Sequence, residues 1–362
     1  MRIVVNDIAA SGGGGGLTIL ESFHQYVRDF DQNNEWVFLL GSDILEEAAQ
    51  IRTVVLPKVK NSWLRRFAFD LIEGRRLIKP LQPDVVFSLQ NTYTYGVRCP
   101  QVIYVHQSLP FQQTKDFSLW RRDERLLAIY QHVVGAIIKQ SIRRADHVFV
   151  QTQWMRDAVL DQIGIANDRV DCVLPDLDDL SAYAFEGTLD AGAFFYPTSS
   201  YSYKNNDCIY AACRLLRERG MVDFKVTMTI EATSPGPNVI PIGFVPREQV
   251  LEALSRSTLI FPSLIETYGL PLAEARTLGA LVLAADLPYA REVLEGYENA
   301  YYFDPQSPDQ LAALMRKVIT GEIIRSRTPC ERIMPHRAGR KVAWAKVIEV
   351  LELYARERER DR

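Results

Sequence analysis

Two glutamates eight positions apart, Glu266 and Glu274, flank the turn Tyr268-Gly269-Leu270-Pro271 in the stretch PSLIETYGLPLAEARTLG. A carboxylate offers only acceptor lone pairs, so it can take hydrogen bonds from two vicinal hydroxyls, the usual way a protein holds a sugar or a ribose. Pro271 suits a first helical turn and Gly279 a helix end, which puts Glu266 in the loop before a short helix and Glu274 about one turn inside it. The helix start offers backbone N–H groups and partial positive charge, and Gly269 lets an anion approach the backbone closely. Two readings fit the spacing. The acids complement the helix dipole, or they form a site for a hydroxylated, anionic ligand.

Other residues could also do chemistry. The run Gly12 to Gly16 follows the apolar stretch RIVVN and precedes a helical pattern. Five consecutive glycines satisfy a dinucleotide fingerprint trivially, and no acid closes a following strand in the expected manner. His106 ends the run QVIYVH, where it is either structural or a near-neutral hydrogen-bonding group. Lys204 lies in the loop sequence YSYKNND, next to Asn205. Asp176 and Asp178 form a D-x-D pattern inside a linker, where solvated acids are expected. The five histidines and five cysteines show no metal-ligand spacing, so no metal is predicted.

The elements that must position these residues follow from the pattern of apolar runs. A chain of 362 residues suggests about two domains. Strands are expected at 2–6, 35–40, 52–57, 84–89, 101–106 and 147–152, with helices at 17–30, 62–79, 119–143 and 153–163 between them. The acidic, turn-rich segment 168–192 reads as a linker. Strands then recur at 193–197, 224–230, 258–262 and 281–286, alternating with helices 206–219, 247–256 and 271–278, before a charged terminal helix at 339–359. The fold expected is α/β, with two doubly wound Rossmann-like domains facing a cleft. Their bounds are 1–175 and 176–338, with 339–362 a C-terminal helix packing back on the first domain.

With 47% hydrophobic and 24% charged residues and a net charge of −3, the chain lacks the basic footprint of a nucleic-acid binder. Odd, unpaired cysteines fit a reducing compartment, and neither a signal-peptide pattern nor a spanning apolar window is seen, so a cytoplasmic location is expected. The segment 58–80 reads as a basic amphipathic helix. Trp63, Leu64, Phe67, Ala68, Leu71 and Ile72 share one face, ringed by Lys58, Lys60, Arg65, Arg66, Arg75, Arg76 and Lys79. Such a helix either lies on a membrane surface or covers the sheet.

The block FPSLIETYGLPLAEARTLGALVLAADLPYAREVLEGYENAYYFDP and the preceding IGFVPREQVLEALSRST resemble the donor-binding region of retaining glycosyltransferases of family 4. The likeness is close over most of 193–315 and loose in the first half. It implies the two-domain GT-B fold, and Glu266 and Glu274 meet the family's E-x7-E motif. By resemblance, Glu266 would contact the donor sugar and Glu274 the nucleotide ribose. Lys204 would neutralise the donor diphosphate, while Tyr268, Gly269, Leu270 and Asn205 would line the donor site. Gly15 and Gly16 would bind the donor side, offering backbone amides to phosphate or acceptor, and His106 would reach the donor sugar across the cleft. Many relatives carry an arginine five residues before the lysine, where this chain has Ser199, leaving Lys204 more of the load.

The resemblance implies a retaining, metal-independent glycosyltransferase, hexosyltransferase-like, with no cofactor beyond its nucleotide-diphosphate sugar. Its acceptor would be a glycan or lipid-linked glycan in cell-surface polysaccharide, lipopolysaccharide or glycolipid assembly, and the protein would sit peripherally on the cytoplasmic face of a membrane. A GT-B nucleotide-sugar epimerase and a non-catalytic nucleotide-sugar-binding subunit are the alternatives.

Overall fold

Short runs rich in Val, Ile and Phe, separated by helical segments, build two fully parallel sheets. The computed structural model describes residues 1–10, 15–60, 63–122, 124–174, 179–185, 187, 189–231, 236–326 and 339–360. Gly12, Gly13, Gly14, Asp176 and Asp178 lie outside the described residues, as do the side chains of Lys60, Trp63 and Leu64. The chain divides into two compact units. One takes Met1–Gln113, Phe117–Asp176 and Ala338–Arg362; the other takes Thr114–Asp116 and Leu177–Arg337.

In the first unit, β1 (Arg2–Asp7), β2 (Glu35–Leu40), β3 (Ile51–Val55), β4 (Val85–Ser88), β5 (Gln101–Val105), β6 (His147–Val150) and β7 (Val170–Cys172) form a sheet ordered β3-β2-β1-β4-β5-β6-β7. The second sheet, ordered β10-β9-β8-β11-β12-β13, comprises β8 (Ala193–Tyr196), β9 (Lys225–Met228), β10 (Val239–Pro241), β11 (Thr258–Phe261), β12 (Val282–Ala285) and β13 (Ala300–Phe303). Strands β4, β6, β11 and β12 are buried along their whole length, as helix-covered parallel strands require.

On one face of the first sheet, helix Gly15–Phe30 packs Ile19, Leu20, Phe23 and Val27 against Trp36, Phe38 and Phe87. Helix Gly339–Arg360 lies beside it. Trp344 is buried with its ring 5.0 Å from that of Phe23, and its Nε1 donates to Ser22 Oγ at 3.0 Å. The other face is covered by two helices that each contain a π turn, at Phe69–Glu73 and at Ile129–Val134.

Three expectations change. Residues 170–172, read as linker, form the edge strand β7, because pairing with β6 supplies the order that three residues in an acidic, turn-rich context do not signal. The YYFDP segment, read as a turn, begins in strand β13, paired with β12. The single apolar face expected for 62–79 is split. A π turn inserts an extra residue into the helical repeat and rotates the side chains downstream of it. Phe67, before the turn, packs toward the core and Phe69, at its start, is fully buried, while Leu71 and Ile72 within it point to solvent.

Asp7 and Asp70 are among the buried carboxyls of the first unit. Asp7 ends β1, and its Oδ2 has no hydrogen-bond partner among the described residues. Asp70 accepts from Thr92 Oγ1 at 2.6 Å and Gln90 Nε2 at 3.2 Å. Burial pushes both up to about 7 from 3.8, against smaller opposing hydrogen bonds. The native state thus holds protons that the unfolded chain releases, so this stabilisation is complete below the unfolded value and is lost as pH rises through about 7. Melting temperature should fall as pH is raised from about 5 to 8, and Asp7→Asn should flatten part of that slope. A wild-type melting temperature that does not change over this window would refute the assignment.

Candidate active site

Strand order places the ligand-binding edge of the second unit. Its first strand, β8, lies between β9 and β11, so the chain changes winding direction there. In open α/β sheets, ligands bind beyond the carboxyl ends of the strands at that switch point. The loop leaving β8 carries Lys204, and the loop leaving β11 carries Glu266.

Local hydrogen bonds sew these loops together. The buried Tyr196 hydroxyl donates to the Lys204 carbonyl at 2.9 Å, and the Leu264 N–H donates to the Tyr203 carbonyl at 2.8 Å. Asn205, in the left-handed region at φ 56°, donates its amide to the carbonyls of Pro262 at 3.2 Å and Pro305 at 2.8 Å. Its amide N–H groups hold three loops in register. Tyr289 fixes the base of the second loop by donating to the Ser263 carbonyl at 2.6 Å. Tyr268 is buried, so its side chain anchors the loop.

The result is an ion pair, with Lys204 Nζ 2.6 Å from Glu266 Oε1 and both side chains mostly buried. Burial alone would lower the lysine pKa, but Glu266 and the neighbouring tyrosines lift it above its ordinary value, so Lys204 is a permanent cation. Gly269, at φ 82°, precedes helix Leu270–Thr277; a side chain there would be strained and would press on Leu272. That helix buries Glu274, whose Oε1 accepts from Arg247 Nη2 at 2.9 Å. Burial raises the Glu274 pKa and Arg247 opposes the rise.

A cavity of about 310 Å³ is lined by Pro197, Thr198, Ser199, Lys204, Phe244 and Val245, among others. Phe244 is 92% exposed. A larger cavity of about 630 Å³ opens at Thr258 and Leu281, the amino ends of β11 and β12, opposite the end where such sheets bind ligands.

Lys204, Asn205, Glu266, Tyr268, Gly269, Leu270 and Glu274 therefore gather at one edge of the second unit. In the first unit, Gly15 and Gly16 open the helix that follows β1, and His106 follows β5. Its imidazole does not titrate near neutrality as expected. Burial pushes it down to about 4, so the ring is neutral at physiological pH. Arg247 and Phe244 carried no role in the sequence reading. Arg247 lies 27 positions before Glu274, and no short-range spacing links them.

Two parallel Rossmann-like sheets with this site define a GT-B glycosyltransferase fold. Solved structures agree. HepE from Anabaena, solved in complex with UDP-glucose, is similar at a TM-score of 0.67 and 16% identity, over 97% of this chain and 99% of that one. The lipopolysaccharide outer core galactosyltransferase WaaB is similar at 0.63 and 16%, over 98% and 99%. WaaG, a glycosyltransferase involved in lipopolysaccharide biosynthesis, is similar at 0.61 and 14%, over 98% and 94%. No curated protein sequence matches the chain. The model for glycosyl transferases group 1 matches residues 221–332, and that for glycosyltransferase family 4 matches 24–175. The chain belongs to this family, whose members are glycosyltransferases that use nucleotide-sugar donors.

The ion pair has a testable consequence. Lys204→Met leaves the Glu266 carboxylate without its cation in a mostly buried loop, at a cost of roughly 1–3 kcal/mol, discounted for residual solvent contact. The melting temperature should fall by a few degrees, and Lys204→Met with Glu266→Gln should recover most of the loss. No recovery would mean that the pair does not form in solution.

Proposed function

We propose that the second unit holds the donor and that the enzyme transfers its sugar with retention and without a metal. The supporting observation is the Lys204–Glu266 pair at the switch point, beside the helix that carries Glu274. In this reading Glu266 accepts from hydroxyls of the sugar, Lys204 and the amides of Gly269 and Leu270 hold the diphosphate, and Glu274 accepts from the ribose. A fixed cation beside a departing diphosphate stabilises charge that develops in the transition state. No nucleophile is needed if the leaving phosphate receives the acceptor proton, so catalysis is positioning plus electrostatics. The first unit presents the acceptor, with Gly15 and Gly16 contributing amides. A neutral His106 contributes hydrogen bonds rather than charge. The UDP-glucose held by HepE favours a nucleoside-diphosphate hexose as donor.

Two glutamate variants test the division of labour in an EDTA-containing assay. Glu274→Gln should mainly raise donor KM and weaken binding of free nucleoside diphosphate. Glu266→Gln should lower kcat more steeply and leave nucleoside diphosphate affinity nearly unchanged. Lys204→Ala should lower turnover about 100- to 1,000-fold. Equal losses of nucleoside diphosphate affinity in both glutamate variants would overturn the assignment, and activity lost to EDTA and restored by Mg²⁺ would overturn metal independence.

The same reading extends to cell-surface glycan or glycolipid assembly, in line with the lipopolysaccharide enzymes WaaB and WaaG, and to a place on the cytoplasmic face of a membrane. Among the described residues, no helix is long and apolar enough to cross a membrane. One face of the first unit nonetheless exposes Leu71, Ile72 and Leu77 with Arg65, Arg75, Arg76 and Lys79. The adjoining helix on that face begins after an exposed Leu119-Trp120-Arg121-Arg122 segment, with Trp120 90% exposed. Basic residues interleaved with apolar ones suit an anionic bilayer surface. The protein should co-sediment with vesicles of phosphatidylglycerol and phosphatidylcholine, more weakly in high salt, and Leu71→Ser with Trp120→Ser should abolish this. Unchanged binding by the double variant would remove this surface from consideration.

A further inference from the structure

Arg247 occupies a position that its own helix does not favour. It is the first residue of helix Arg247–Arg256, after Pro246, and the first turn of a helix carries partial positive charge that disfavours a cation. Its guanidinium reaches across to the helix Leu270–Thr277 and donates to Glu274 Oε1 at 2.9 Å, with the glutamate side chain 8% exposed and the arginine 41%. Phe244, Val245 and Val250, on either side of Arg247 in sequence, line the cavity that also takes Lys204.

We propose that Arg247 is a positioning residue for the donor, holding Glu274 as an ionised, oriented carboxylate whose Oε2 faces the ligand. The proposal rests on the reading of Glu274 as the acceptor for the ribose hydroxyls. A carboxylate accepts from both hydroxyls of a vicinal diol; the protonated acid carries its own O–H and loses part of that acceptor capacity.

The surroundings leave this task to Arg247. The helix Arg247–Arg256 also carries Glu248, Glu252 and Arg256, and helix Pro288–Val293 carries Tyr289, Arg291 and Glu292. Tyr289 donates to the Ser263 carbonyl, Arg291 is paired with Asp286, and Arg276 on the glutamate's own helix donates to the Val293 carbonyl. β11 and β12 bring no charged side chain. Burial raises the Glu274 pKa, and Arg247 is the group whose charge and hydrogen bond oppose it. Without Arg247, protonation would persist to higher pH and relax as pH rises.

The test is binding by isothermal titration, using whichever of UDP, GDP and ADP binds the wild type most tightly. The ratio of variant to wild-type Kd is followed from pH 7.0 to 8.5, which cancels ionisation of the nucleotide. For Arg247→Ala the ratio should exceed 1 by several-fold at pH 7 and shrink toward 1 as pH rises, because the ionised fraction of Glu274 recovers. Arg247→Lys, which keeps the charge but not the planar fork, should lie between. In a Glu274→Gln background, Arg247→Ala should add nothing and show no pH dependence. A pH-independent loss that persists in that background would mean that Arg247 touches the nucleotide itself, and a ratio of 1 throughout would make the contact a surface ion pair; either overturns the proposal. If Glu274→Gln alone leaves nucleotide affinity intact, the ribose reading fails instead. Should Arg247→Ala fail to fold, Arg247→Gln gives the same neutralisation with most of the side-chain volume retained.

Discussion

The contact between Lys204 and Glu266 joins residues 62 positions apart, and it exists only because β8 and β11 are neighbours in a parallel sheet. Parallel strands send their carboxyl ends, and therefore their outgoing loops, to the same edge. The loops are then locked by backbone-directed hydrogen bonds from Tyr196, Asn205 and Tyr289, all from buried or half-buried side chains. A 2.6 Å ion pair in a largely enclosed site needs such locking, because charges removed from water attract strongly only when their geometry is held.

Each glutamate of the motif has its own cation: Lys204 for Glu266 and Arg247 for Glu274. The two pairs differ in kind. Lys204 is a point charge held at the edge where the sheet binds ligands, and it remains charged because an acid lies beside it. Arg247 meets an almost fully buried acid while keeping substantial solvent contact of its own. One pair joins the loops that leave β8 and β11, and in the other an arginine's charge and hydrogen bond oppose the rise that burial imposes on the Glu274 pKa.

The first unit contrasts with the second in how it handles buried polarity. Asp7, Asp70 and His106 all lie at or near the carboxyl ends of its strands, and burial drives each toward its neutral form. The second unit instead holds its lysine and its two motif acids in ion pairs. The same sheet topology thus presents two chemistries, set by the side chains that follow each strand.

Much of this was legible in the residues themselves. Short Val-, Ile- and Phe-rich runs marked ten of the strands, because strands buried on both faces must be apolar throughout. The spacing of Glu266, Gly269, Pro271 and Glu274 announced a loop entering a helix, since those residues each act within one turn of the backbone. Edge strands were less visible: β7 and β10 are three residues long and drawn from polar or turn-rich sequence, so neighbouring strands confer their order. The π turn at Phe69–Glu73 redirected Leu71 and Ile72 away from the face that a regular helix would give them. The partnership of Arg247 with Glu274, the bonding of the Asn205 amide to backbone carbonyls and the neutral state of His106 were decided by the tertiary structure alone. Sequence periodicity reports forces that act along a few residues of chain. Ion pairing across loops and desolvation depend on what packing brings near from far away, and only the folded arrangement specifies that.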